Sequence, residues 1–274
     1  MRRDIGERVW AAAVWTMVAF FVLNLLAMIG SVVVNSFGTR WFNTWLPSGY
    51  TAQWYALAWD EFQLPDILIV TLEVVGTVVV LSGLIGVPTA YAMARRNFPG
   101  KQAVMLLFLL PLLVPPITYG IPLATVLYQA HLAGQIWGVI LANLVPTVPF
   151  VILIMIPFVE QIDPRVEAAA RVFGAGTLRL FVQVLVPLLT PGILAALLLV
   201  LVRTIGMFEL TFLTAGPTSQ TLVVALYYAV FAAGVRPGQS VDAMAVVYMV
   251  TTLVWLLIAL RFVNPTQIVT RAKR

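Results

Sequence analysis

Cysteine is absent from this 274-residue chain and histidine occurs once. No disulfide, thiolate nucleophile, iron–sulfur cluster or His/Cys metal site can be assembled from that set, so no metal-ligating residues are assigned. A nucleotide-phosphate loop is missing as well. Gly100-Lys101 has neither the earlier glycine nor the following hydroxyl that the G-x-x-x-x-G-K-[ST] pattern needs, so the chain does not hydrolyse ATP unaided. Charge is scarce too: Asp, Glu, Lys and Arg make up 10% of the residues, where a water-soluble chain carries about 25%. With 61% apolar residues, most of the surface must be solvated by lipid.

What is present are long uncharged runs, at 9–39, 74–94, 102–130, 132–159, 180–202, 210–235 and 243–260. Each is at or near the ~20 helical residues that cross a hydrocarbon core. The first run exceeds the roughly 7–15 apolar residues of a cleavable signal peptide and reads as a retained span. The run 210–235 is interrupted by the turn-forming group Ala215-Gly216-Pro217-Thr218-Ser219-Gln220-Thr221, whose backbone would go unsatisfied in lipid. This predicts one all-α membrane domain over 1–274, with six spans at about 10–34, 66–93, 102–128, 136–158, 188–213 and 243–262.

The basic residues set its direction. Of the 16 Lys and Arg, 13 then fall inside, two (Arg40 and Arg236) outside, and Arg203 within a span. Both termini are therefore expected in the cytoplasm. Counting 222–235 as a seventh span would export Arg261, Arg271, Lys273 and Arg274, against the same bias. These clusters (Arg2, Arg3 and Arg8; Arg95, Arg96 and Lys101; Arg165, Arg171 and Arg179) flank apolar runs, which argues against nucleic-acid binding.

The outside loop 35–65 is rich in aromatics (Trp41, Phe42, Trp45, Tyr50, Trp54, Tyr55, Trp59, Phe62) and suits either an interfacial belt or the docking of an outside partner. The apolar stretch 222–235 is too short to span and reads as a re-entrant or interfacial helix. Ser82, Gly86, Ala90 and Ala94 recur every four residues, a stripe that admits close helix approach. Pro111, Pro115, Pro116, Pro122, Pro146, Pro149 and Pro157 are expected to interrupt spans three and four, and bent helices suit a gated cavity.

The most informative segment is cytoplasmic, 160–187. Asp163 can cap a helix, Pro164 suits its first position, and Gly174 can take the left-handed conformation that stops it. The helix should be about ten residues, roughly 15 Å long. Glu167 and Arg171 are spaced i, i+4 with the acid first, a supporting pair. Beyond the glycine turn, Thr177 can cap a second short helix with an apolar stripe of Leu178, Phe181, Val182 and Leu185, ending at Pro187.

That pattern, Glu167-Ala168-Ala169, then Gly174, nine residues, Val184, one residue and Val186-Pro187, resembles the EAA loop of the permease subunits of type I ATP-binding-cassette importers. With Gly174 aligned, Ala168 falls on the usual glutamate position, and Glu167, one residue earlier, is taken as its equivalent. Gly86-Val87-Pro88-Thr89-Ala90-Tyr91-Ala92, Phe98-Pro99-Gly100-Lys101, the stretch 112–120 and the aromatic segment around Trp54-Tyr55 are similar to the same family. The resemblance implies six transmembrane helices of the type I importer permease fold in the bacterial inner membrane. It also implies a second, homologous permease chain, two ATP-binding subunits that use ATP and Mg, and an extracytoplasmic solute-binding protein. Glu167, Ala168, Ala169, Arg171, Gly174 and Pro187 become the ATPase-coupling residues. The chain itself is then a non-catalytic translocation subunit with no bound cofactor, working by alternating access between two packings.

Glu73, Arg203 and Glu209 lie within the predicted spans and must face protein or water. Glu209 resembles the acidic position of the fifth span in polyamine-type permeases, where two adjacent acids are usual; Met207-Phe208-Glu209 supplies one. It either lines the pathway or forms a structural ion pair, and Arg203 blunts a preference for cations. Tyr119, Asn143 and Gln220 are further pathway candidates, although polar groups also hold helices together. His131 reads as a solvated or interfacial side chain. The solute expected from the resemblance is polyamine-, opine- or phosphonate-like, with sugars next. An ion-gradient carrier is the alternative, but no inverted repeat is visible, and no catalytic constellation converges.

Overall fold

The computed structural model describes residues 2–39, 44, 46–231 and 236–262, with side chains from Gly6 onward. Among them the regular structure is helical, apart from one isolated bridge between Gly38 and Tyr50. The helices are α1 (Arg2–Phe37), α2 (Gln53–Glu61), α3 (Leu64–Arg95), α4 (Lys101–Leu113), α5 (Pro116–Gln129), α6 (Ile136–Glu160), α7 (Pro164–Val172), α8 (Thr177–Leu180), α9 (Val186–Ile205), α10 (Glu209–Thr214), α11 (Leu222–Phe231) and α12 (Gly238–Phe262). Arg40, Trp41, Phe42, Trp45, the end of the 222–235 segment, Arg271, Lys273 and Arg274 lie outside the described residues, as do the side chains of Arg2 and Arg3.

Five of the described helices are long and apolar enough to cross a membrane, and a sixth crossing results if α4 and α5 count as one bent span. The described residues group into two compact units. The first holds residues 1–64 and 228–249. Here α1 is exposed around its whole circumference over residues 6–29, so it has no single core face and needs lipid or another chain around it. Its C-terminal end is tied down by hydrogen bonds from Trp54 Nε1 to the Gly38 carbonyl (2.7 Å) and between Ser36 Oγ and Tyr55 OH (2.7 Å). Asn35 Nδ2 donates to Asp242 Oδ2, and Arg236 pairs with Glu61 at 3.1 Å.

The second unit, residues 65–227 and 250–274, is organised around α6, which packs on α9, α4 and α10. Close approach is made possible by small residues. A Cβ on Gly192 of α9 would lie 2.6 Å from the Phe158 ring, and one on Gly86 of α3 would lie 2.6 Å from Val151 Cγ1 of α6. Ser82 and Ala90, on the same stripe as Gly86, are completely buried, as the four-residue recurrence predicts.

The prolines act unequally. Val114, forced out of the helical region by the proline that follows, is extended (φ −83°, ψ 133°), and α4 and α5 meet at a 102° bend. By contrast α6 runs unbroken through Pro146, Pro149 and Pro157, correcting the expectation that span four is interrupted. Pro111 and Pro122 likewise lie inside α4 and α5, so within span three only the Pro115-Pro116 pair marks a break. The run 188–213 divides into α9 and α10 at Gly206-Met207-Phe208.

Candidate coupling site and pathway

The segment 160–187 folds as its local chemistry dictates. Asp163 accepts a hydrogen bond from the Arg165 amide (2.9 Å), Pro164 occupies the first turn, and α7 runs nine residues. At its end Gly174 has φ +80°, its amide donates to the Arg171 carbonyl (2.9 Å), and the Ala175 amide donates to the Ala170 carbonyl (3.0 Å). These two bonds form the Schellman stop that glycine permits. Beyond it the sequence expectation needs correction. Thr177 makes no side-chain cap, and the following helix does not end at Pro187 but runs from Thr177 to Ile205. Residues 181–185 widen into a π turn just before Pro187, whose missing N–H removes one bond from the ladder.

Glu167 does not pair with Arg171 within the helix. Its Oε1 accepts from Arg95 Nε at 2.7 Å, and its Oε2 accepts from the Tyr91 hydroxyl at 2.6 Å. Arg95 Nη2 also donates to the Ile162 carbonyl at 2.5 Å, gripping the chain just ahead of the Asp163 cap. Glu167 as a residue is 9% exposed. Arg171 lies beside the Tyr91 hydroxyl, and the group borders an open cleft of about 540 Å³ with Arg96 and Thr177.

The opposite character prevails nearby. Val172, Phe173 and Leu178 are 84%, 89% and 78% exposed, and Ala168 and Ala169 are exposed beside them. Sequence reasoning missed Phe173 and Val172 as functional candidates and used Arg95 and Tyr91 only for orientation and family likeness. The signals were there: a bulky apolar pair directly before the stop glycine of a short, alanine-rich charged helix, and Tyr91 and Arg95 four residues apart on one face of α3.

The intramembrane candidates divide. Arg203, in the last turn of α9, lies over the Phe150 ring at 5.3 Å, and Glu209 is the first residue of α10. Both are half-buried, and both are within electrostatic range of the Tyr119 hydroxyl of α5. These three therefore gather at the α9–α10 break, where neither charge forms an ion pair with another described residue. Asn143 is completely buried; its amide nitrogen donates to the Val139 carbonyl (2.9 Å) and Thr211 Oγ1 (3.2 Å), tying α6 to α10, while its Oδ1 has no partner among the described residues. Glu73 is exposed on α3, Gln220 is half-buried after α10, and no hydrogen bond or ion pair among the described residues joins either to the group.

On the expected outer side, the loop before α6 meets the loop after α10. The Gly134 amide donates to the Thr214 carbonyl (2.8 Å) and Ser219 Oγ donates to the Gly134 carbonyl (2.9 Å).

Residues 82–268, about two thirds of the chain and including all of the segment 160–187, match the family described as binding-protein-dependent transport system inner membrane component. The chain belongs to this family. It is a multi-pass inner-membrane permease of an ATP-binding-cassette importer, the non-catalytic component, which disposes of the ion-gradient alternative. The permease is 33% identical to the molybdenum transport system permease protein ModB of Haemophilus influenzae over 155 residues, 50% of this chain and 67% of that one. It is 25% identical to the spermidine/putrescine transport system permease protein PotC of Escherichia coli K12 over 224 residues, 81% of this chain and 83% of that one. Its fold is that of a crystal structure of a bacterial ABC transporter involved in the import of the acidic polysaccharide alginate. There the TM-score is 0.76 at 17% identity, covering 94% of this chain and 98% of that one.

Proposed function

We propose that this permease, paired with a second permease chain, imports a small polar ion by alternating access driven by two cytoplasmic ATPase subunits, which seat on the α7–α8 hairpin. The observation that carries the reading is the exposure of Val172, Phe173 and Leu178 on the side that the basic residues assign to the cytoplasm. An apolar ledge of that kind beside small Ala168 and Ala169 is disfavoured in water and suited to a protein partner. The capped, nine-residue α7 supports it as a stiff lever. In this reading Gly174 and Pro187 set the geometry of the hairpin, and Arg171 sits at its edge.

For the solute we favour an oxyanion of the molybdate class, supported by the Haemophilus influenzae relative and by Arg203 at the α9–α10 break. A polyamine is the second reading, supported by Glu209 and by PotC. Arg203, Glu209 and Tyr119 are the pathway candidates of choice, with Glu73, Asn143 and Gln220 behind them.

Phe173→Glu tests the docking. The ATPase subunits are expected to be lost on purification and uptake to fall roughly tenfold or more, as for a buried interface aromatic, with the permease still in the membrane. Full retention of the ATPase subunits and uptake would remove the docking surface. Titrating the cognate binding protein with molybdate, sulfate, an alkylphosphonate, spermidine and maltose decides the solute. Molybdate selection supports the first reading, spermidine the second, and sugar selection neither.

A further inference from the structure

Resting on the docking reading above, we infer that Glu167 is a strut to α3 rather than a contact with the ATPase, and that Arg95 and Tyr91 are its positioning residues. The ATPase stroke received at α7 is thereby delivered to the third helix of the chain.

Both oxygens of the Glu167 carboxylate are already engaged. One oxygen is taken by Arg95 Nε (2.7 Å) and the other by the Tyr91 hydroxyl (2.6 Å), and only 9% of the residue is exposed. A partner approaching the exposed ledge at Phe173 meets apolar carbon and alanine, not this acid. Arg95 then adds a second anchor by donating to the Ile162 carbonyl (2.5 Å). The guanidinium thus holds α7 both by a side chain in its first turn and by the backbone before its cap. Two attachments at different points fix direction as well as distance, and the planar fork of arginine suits that role where a lysine ammonium does not. Tyr91 and Arg95 are one turn apart on α3, so the strut bears on a single face of that helix.

The body it bears on is made to move as a unit. From Ser82 through Gly86 to Ala90, α3 is buried against its neighbours by small side chains, with Gly86 against Val151 of α6. Such a seam is close-packed and has no hydrogen bond among the described residues across it, whereas two hydrogen bonds join α3 to α7 and a third joins α3 to Ile162 just ahead of the α7 cap. Displacement of α7 is therefore passed to α3.

The test uses the complete importer reconstituted with its ATPase subunits and binding protein. Glu167→Gln and Arg95→Met are expected to keep the ATPase subunits and their hydrolysis while uptake per ATP falls roughly tenfold to a hundredfold, the worth of a charge-assisted hydrogen bond. The exchange R95E/E167R is expected to restore part of it. Because the chain has no cysteine, an R95C/E167C pair can be joined by a short bifunctional thiol reagent. Unjoined, it should be uncoupled; joined, it should recover uptake, since a covalent strut replaces the ionic one. Tyr91→Phe removes one hydrogen bond and no charge, and should lower uptake per ATP a few-fold even if the charge variants fail to reach the membrane.

Wild-type coupling in Tyr91→Phe and in the unjoined pair, or abolition of uptake by joining, would overturn the strut. So would loss of the ATPase subunits from Glu167→Gln, because the acid would then be a docking contact. Failure of the docking reading is a separate result: Phe173→Glu that still holds its ATPase subunits.

Discussion

The stop at Gly174 gives the sharpest quantitative test of the coupling hairpin, because its cost can be worked from backbone geometry alone. At φ +80° the residue sits where L side chains are disfavoured, and an added Cβ would meet nothing within 4 Å. Steric crowding is therefore absent, and the penalty is conformational. Alanine pays about 1–2 kcal/mol for the left-handed region, partly offset by about 0.4–1 kcal/mol from a less flexible unfolded chain. The net is about 1 kcal/mol against the capped hairpin. Asparagine, which tolerates this region, should cost only a few tenths. Proline cannot reach the angle and loses the amide that bonds the Arg171 carbonyl at 2.9 Å, a cost of about 3 kcal/mol or more. Uptake per ATP hydrolysed in proteoliposomes should accordingly run from near wild type in Gly174→Asn, through a few-fold loss in Gly174→Ala, to near abolition in Gly174→Pro. Membrane levels should stay constant across the series. Wild-type uptake in the proline variant would refute the role of the hairpin, and equal losses in the alanine and proline variants would refute the backbone explanation.

Two packing predictions concern close contacts elsewhere in the second unit. Gly86→Ala places a Cβ 2.6 and 2.8 Å from the branched Cγ1 and Cβ of Val151, which sits at 0% exposure and has no free end to swing away. The expected destabilisation is about 1–3 kcal/mol. Thermal unfolding in detergent should show Val151→Ala relieving it, so that the double variant is more stable than the sum of the singles; strict additivity would argue against the contact. On the outer side, Gly216→Ala drives a Cβ to 2.8 Å from the Gly134 carbonyl oxygen and 2.9 Å from its Cα, both backbone atoms. Hydrogen exchange at the Gly134 amide should accelerate while the α7 amides are unaffected, and unchanged protection at Gly134 would show that the two loops do not depend on each other.

How much of this was legible in the sequence depends on the range of the interaction. Asp163, Pro164 and Gly174 act within a turn of themselves, and the helix they bound appears where their chemistry puts it. Glu167 was paired with Arg171 because only near neighbours are visible in a sequence; its partners Arg95 and Tyr91 are 72 and 76 positions away. Proline shows the same limit. Its cost is local but its outcome is not: Pro115-Pro116 turns the chain by 102° while Pro146, Pro149 and Pro157 leave α6 continuous. The break between α9 and α10 was hidden because its residues are apolar, like those around it. Once the break is known, the two half-buried charges change meaning. Arg203 lies in the last turn of one helix and Glu209 opens the next, each of the sign that the adjacent helix end favours. Such charges are held without a solute, so neither Arg203 nor Glu209 identifies the cargo by itself. The exposed α7–α8 ledge has no comparable partner within the described residues, and that difference is why the coupling hairpin carries the functional argument.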